Sequence, residues 1–218
     1  AFPRTFPVFC RRTTASDFKE AHRVQLGGAP QLKPVAEGGA FERGSVQESQ
    51  ETIKVETYGR IVSITRQTIV NDDLDAFTRI PAMHGTAAAT LESDVVWALL
   101  TANGGLGKTM ADGKAVFHAD HKNLAATGGD LNVTNLAKAR AAMGKQTGLG
   151  DKTKLNIRPQ FIIVPMALEL NAEQLTSNAL LPAQSGNIVP NSLRGLQPLA
   201  EPRLDDVSET AWMLVASS

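Results

Sequence analysis

Between Val24 and Thr57 the chain is too rich in helix breakers and too poor in apolar anchors to build a core of its own. Gly27, Gly28, Pro30, Pro34, Gly38, Gly39 and Gly44 punctuate it, and Val24, Leu26, Leu32, Val35 and Phe41 are thinly spread. Glycine and proline at this density interrupt helices and allow turns. From residue 51 the pattern changes. Ile53 and Val55 alternate with Thr52, Lys54 and Glu56, which predicts a strand over 51–58 with one apolar face. Gly59 then marks a bulge or bend, because the alternation becomes less clean at Ile61–Ile64. Residues 24–57 thus read as a long two-stranded arm. An isolated hairpin is marginal in water and leaves strand edges unpaired. Two readings stay open: a flexible surface loop, or an arm that packs on another copy of the chain.

The remainder has the material for a real core. Of 218 residues, 42% are apolar and 20% charged, the balance of a folded protein. Aromatics are only 5%, so Leu, Ile, Val and Ala must fill the interior. Lys+Arg and Asp+Glu are both 22. A free-standing nucleic-acid binder usually carries a basic excess, which is lacking here. Cys10 is the only cysteine, which excludes an intrachain disulfide and a Cys-rich metal site. No stretch approaches the ~20 apolar residues of a membrane helix. Residues 1–12 lack the continuous apolar segment of a signal peptide. The chain starts at Ala1 rather than Met, which reads as a processed, truncated or partial chain.

Several elements are legible. Asp17 is placed to cap a turn before Lys19–Arg23 in a lead-in over 1–23. Residues 71–102 predict a long helix, started by Asn71, Asp72 and Asp73. Leu74, Phe77 and Ile80 share one face; Pro81 should kink or restart the helix. Leu91, Val95, Ala98 and Ala102 then form the expected buried stripe, Trp97 anchors the helix to a sheet, and Gly104 and Gly105 stop it. A second helix is expected over 133–146, capped by Thr134 with Leu136, Ala139 and Met143 inward. Phe161–Val164 predicts a buried strand ending at Pro165, Met166–Leu175 a helix, Leu196–Leu199 a strand, and Trp212–Ala216 a last strand. The order is mixed α+β without a βαβ repeat.

Four constellations have chemical overtones. Residues 102–109, Ala-Asn-Gly-Gly-Leu-Gly-Lys-Thr, nearly match a phosphate-binding loop, but Ala102 stands where the first glycine belongs. A helix also precedes the motif, whereas a phosphate loop follows a strand and opens a helix. It reads as a helix C-cap and a glycine loop. His118, Asp120 and His121, with His84 as a conceivable third imidazole, suggest a metal site, but no HExxH motif or cysteine partner accompanies them. A loop-stabilising hydrogen-bond cluster is the preferred reading. Cys10 with His22 has no supporting context as a nucleophile pair, and Asp72, Asp73 and Asp75 read as a helix start. The residues therefore point to no catalytic site, no cofactor and no metal.

Longer runs carry a family resemblance. Glu56-Thr-Tyr-Gly-Arg-Ile-Val-Ser-Ile-Thr-Arg-Gln-Thr-Ile-Val-Asn-Asp-Asp-Leu74, Phe77 to Pro81 and Leu91-Glu-Ser-Asp-Val-Val-Trp-Ala-Leu-Leu100 resemble the Mu-like major head subunit family. More closely, they resemble the capsid half of phage proteins that fuse a prohead protease to the major capsid protein. Asp112-Gly-Lys-Ala-Val-Phe-His-Ala-Asp-His-Lys-Asn-Leu124, Glu201-Pro-Arg-Leu204 and Ala211-Trp212 resemble later segments of that family.

The resemblance implies the tailed-phage capsid fold. Residues 1–23 would be an N-terminal arm segment and 24–57 an extended loop. A peripheral domain would span 58–130, with a spine helix at 71–102, and 131–218 would lie mainly in an axial domain. It implies a shell subunit that self-assembles into an icosahedral head around DNA, with other copies of itself as partners in hexamers and pentamers. Packaged DNA would be touched weakly and without sequence preference, and no membrane would be involved. The expected place is the virion, after assembly in the host bacterial cytoplasm. Leu32, Val35, Phe41, Ile53 and Val55 of the arm would contact a neighbouring subunit. The family continues past the position of Ser218, so the C-terminal part is expected to be missing from this sequence. The protease half of the fused relatives is absent, and no protease activity is carried over. The alternatives are a cellular nanocompartment shell of the same fold, or a nucleotide- or metal-binding enzyme.

Overall fold

A computed structural model describes residues 4–27, 34–35, 37–63, 65–70, 76–149, 154–177, 193 and 195–217. Its centre is the apolar run that the sequence marks as a buried strand. Strand β3 (Phe161–Val164) is buried along its whole length and lies between β4 (Gln197–Ala200), which it pairs in parallel, and β5 (Met213–Val215), which it pairs antiparallel. Strand side chains alternate between faces, and each face here has its own cover. Ile162 and Val164 meet Leu131, Leu136, Ala172, Leu193 and Leu196, with Leu214 and Ala200 beside them. Ile163 points the other way, to Trp97 and Leu204, with Leu199, Met213, Val215 and Phe9 around it. A four-residue strand with no polar side chain is what two covered faces require. Pro198 is tolerated because β4 is an edge strand, where a missing N–H need not pair outward.

The first cover is helix α3 (Val133–Gly144) and helix α4 (Glu169–Thr176). Asn132, not Thr134, caps α3: its side-chain oxygen accepts the Asn135 N–H at 2.8 Å. Both residue types are good caps, and which one starts the helix depends on where the backbone turns out of extended geometry, here at Asn132. Met166–Leu168 form a 3₁₀ turn ahead of α4, and the Asp205 carboxylate accepts the Met166 and Ala167 N–H groups at 2.8 and 3.2 Å.

The second cover is the long helix α2 (Ala76–Gly105), preceded by a short helix α1 (Arg66–Val70) that the sequence did not announce. Asn71, Asp72, Asp73, Leu74 and Asp75, and the side chain of Phe77, lie outside the described residues. Two expectations for this helix are corrected. Pro81 does not restart it: helical backbone runs through the ring, and the departures from helical φ/ψ come at Ala102, Asn103 and Gly104. Proline deletes one donor, and the bonds on either side suffice to carry the helix across. The buried face is also not Leu91, Val95, Ala98 and Ala102. It is Ser93 and Trp97, flanked by Leu100 and Thr101, while Leu91, Val95 and Ala98 are exposed. The large indole decides the rotation of the helix, because seating it buries more apolar surface than the smaller stripe offers.

Strand β1 (Ala21–Leu26) and strand β2 (Glu48–Ile53) form a separate antiparallel hairpin, from Ala21 opposite Ile53 to Leu26 opposite Glu48. Thus Ala21–Arg23 belong to a strand; Asp17 does accept the Lys19 N–H, at 3.2 Å, in the turn before it. The strand expected at 51–58 is displaced to 48–53, and no strand flanks Gly59 to make a bulge. Alternation reveals a face but not a partner, and beyond Ile53 the opposite strand has ended.

Candidate assembly surfaces

The hairpin is held to the body at two places, the end where its connecting segment begins and the middle of β2. The backbone of Gly27 approaches residue 149 so closely that a Cβ there would lie 2.8 Å from the Leu149 carbonyl oxygen. Glu51 of β2 accepts the Ala111 N–H at 3.1 Å. On either side of these points, apolar side chains of the arm are exposed. Phe41 is 86% exposed, and Val35, Ile53 and Val55 are exposed as well. Leu32 lies outside the described residues. Leu91, Val95 and Leu99 on α2 are a second group of exposed apolar side chains. Large exposed apolar surface on a folded chain marks interaction sites.

One polar network was not foreseen. Glu201 is fully buried, and its carboxylate accepts from the Thr5 hydroxyl and from Arg203 Nη1 at 2.7 Å. The Thr5 hydroxyl in turn accepts the Trp97 indole N–H at 3.1 Å, and Phe9 meets the indole edge-on at 5.7 Å. Arg203 continues to Asp94 on α2, Nε to Oδ1 at 2.8 Å. Burial disfavours the Arg203 charge, but its hydrogen bonds to Glu201 and Asp94 more than offset this and hold its pKa up. The network joins the N-terminal segment, the spine-like helix and the sheet. The available sequence signal was Glu201-Pro-Arg203, a carboxylate and a guanidinium two residues apart.

The motifs with chemical overtones resolve into loop structure. After α2 the chain forms a small hairpin with Thr109 bridged to Ala115 and the Phe117 N–H bonded to the Leu106 carbonyl at 2.8 Å. Gly107 has φ +82°, and a Cβ on it would stand 2.7 Å from Val116. This glycine serves close packing, and Asn103 donates to its carbonyl at 2.9 Å. His121 faces two acceptors, the Asp112 carboxylate at 2.7 Å and the Val116 carbonyl at 3.1 Å. Only the imidazolium can donate to both, so the Asp112 hydrogen bond, with Val116 second, raises the pKa of His121. Asp120 contacts Lys114, and His118 Nδ1 accepts the Asp120 N–H at 3.2 Å. His84 sits exposed on α2. Among the described residues no three His, Cys, Asp or Glu side chains converge on a metal position. Burial pushes the thiol pKa of half-buried Cys10 up, opposite to the activation of a nucleophile.

The body thus carries a covered sheet, a long helix and a projecting hairpin with exposed apolar side chains. The family model of phage capsid proteins matches residues 48–218. The chain belongs to that family. Its fold is similar to the bacteriophage JBD30 capsid, at 17% identity and a TM-score of 0.75, over 94% of this chain and 92% of that one. It is likewise similar to the capsid of bacteriophage JBD30 decorated with minor capsid protein trimers, at 18% identity and a TM-score of 0.74, over 93% and 91% of the two chains. No curated protein matches. The capsid protein has the tailed-phage capsid fold and a structural role, as a subunit of a phage head located in the virion.

Proposed function

We propose that this capsid protein builds an icosahedral shell in the host bacterial cytoplasm from hexamers and pentamers, with the hairpin arm of each copy covered by a neighbour. Residues 24–57 act as the extended loop, 58–130 as the peripheral domain with α2 as its spine, and 131–218 mainly as the axial domain. The observation that carries the reading is the state of the arm. Val35, Phe41, Ile53 and Val55 stay exposed within one chain while the strand pair is held to the body at Gly27 and Glu51. A fixed strand pair with uncovered apolar side chains suits exchange between copies, which adds many modest contacts. Leu32 joins that contact set on the sequence pattern. DNA inside the shell is met by weak, non-specific contact, in keeping with zero net charge. The role is assembly rather than catalysis. Electron microscopy and light scattering of the expressed protein should show particles or capsomers. Monomers alone, at every salt and protein concentration tried, would overturn the proposal.

A further inference from the structure

Helix α3, the 156–159 segment and Leu193 enclose an open groove of about 380 Å³. Ala137, Ala141, Ile157 and Leu193 give it an apolar lining, and Arg140 and Arg158 stand in the same wall. Neither guanidinium has an ion-pair or hydrogen-bond partner among the described residues. Unpaired arginines beside an apolar floor suit a carboxylate carried next to apolar side chains. A DNA backbone would use the charges but not the floor.

The chain itself carries side chains of complementary charge and apolarity. Met166, Leu170 and Glu173 follow at steps of four and three along the 3₁₀ turn and α4, with Glu169 beside them. Leu170 is 66% and Met166 45% exposed. Neither glutamate has an ion-pair partner among the described residues. Asp205 holds the start of this ridge by two backbone hydrogen bonds, so it is presented on a fixed support.

We infer that the α4 ridge of one copy seats in the Arg140/Arg158 groove of the next, with Leu170 toward the apolar floor and Glu169 and Glu173 facing the arginines. The inference rests on the assembly reading above and names a contact distinct from the arm. Ridge and groove are different patches of one surface, so the contact is head-to-tail. Such contacts close into rings when the rotation allows. This places the interface within a capsomer.

The test uses two charge-reversed full-length proteins, R140E/R158E and E169R/E173R, each checked for folding by circular dichroism. Each alone sets like charges against each other and should lower the yield of assemblies at least about tenfold, the scale of one lost charged contact per interface. Mixed in alternation, each groove meets an opposite ridge, and even-numbered rings such as hexamers should return. Either variant assembling alone like the unaltered protein, or a mixture of folded variants that stays monomeric, overturns the inference. If a reversal prevents folding, A141C and L170C in a C10S background decide instead. Mild oxidation should give a ladder of covalent oligomers, and monomers alone reject the contact. DNA-oligonucleotide binding lost in R140E/R158E while assembly persists would assign the groove to nucleic acid and overturn the inference. Failure of the unaltered protein to assemble would sink the assembly reading itself, a result separate from any of these.

Discussion

The sheet module and the hairpin arm use similar strands to opposite ends. In β3 every side chain is buried, and both faces are covered by the same chain. In the arm, β1 is exposed throughout and β2 nearly so. Both are short strands with ordinary local patterns, but among the described residues only β3 has both faces covered. Local pattern therefore makes the element, while what packs against it decides its burial, and under the proposed assembly the arm is covered only in the shell.

The largest test of this contrast is in the core. Trp97→Ala should cost about 3–5 kcal/mol and Ile163→Ala about 2–5 kcal/mol, because each leaves a cavity between helix and sheet. Urea denaturation of the subunit would measure this, and losses under ~1 kcal/mol would contradict the described core. The next effect is in the buried network. Thr5→Val removes a hydroxyl that serves both Glu201 and Trp97 and should cost about 1–3 kcal/mol, from leaving buried polar groups unpaired. A neutral result would mean that the N-terminal segment is not held by that network.

The arm should behave in the reverse sense. Phe41→Ser with Ile53→Ser should change subunit stability by no more than ~0.5 kcal/mol, as for exposed sites, yet strongly reduce particle yield in electron micrographs. A large stability loss would show that the arm is finished by its own chain.

The smallest effect is in the loop after α2, and its sign depends on pH. His121 has its pKa raised above its ordinary 6.5 by Asp112, so this pairing is fully present below that value and fades as pH rises through the folded-state pKa. Asp112 is lowered from 3.8, chiefly by the same hydrogen bond, so its contribution is kept above that value and lost as pH falls through the lowered one. Hydrogen exchange of residues 112–121 should therefore be slowest in the mildly acidic range, once corrected for intrinsic rates, and His121→Gln should abolish the loss of protection toward higher pH. Protection that instead grows from pH 6 to 8 would contradict the imidazolium pairing.

Much of the fold was legible in the residues. Phe161–Val164 has no polar member and little choice but a strand covered on both faces. The glycines and prolines of 24–57 rule out a helix there, and the loop reading of 102–109 follows from Ala102 and the preceding helix. The site was harder to see. Glu201 looks like any surface glutamate until Thr5, nearly two hundred positions away, is brought against it. Nor could periodicity choose between Leu91–Val95–Ala98 and Ser93–Trp97, since both stripes fit a helix.

By itself, the sequence determined the α+β class, the buried central strand and the glycine and proline breaks of 24–57. These depend on neighbours along the chain, where spacing and steric limits act directly. Tertiary structure alone decided the rotation of α2, the end of β2 at Ile53, the Thr5–Glu201–Arg203 network and the placing of Arg140 near Arg158. Each depends on which distant surfaces meet and exclude water, and that is set by the packing of the whole chain.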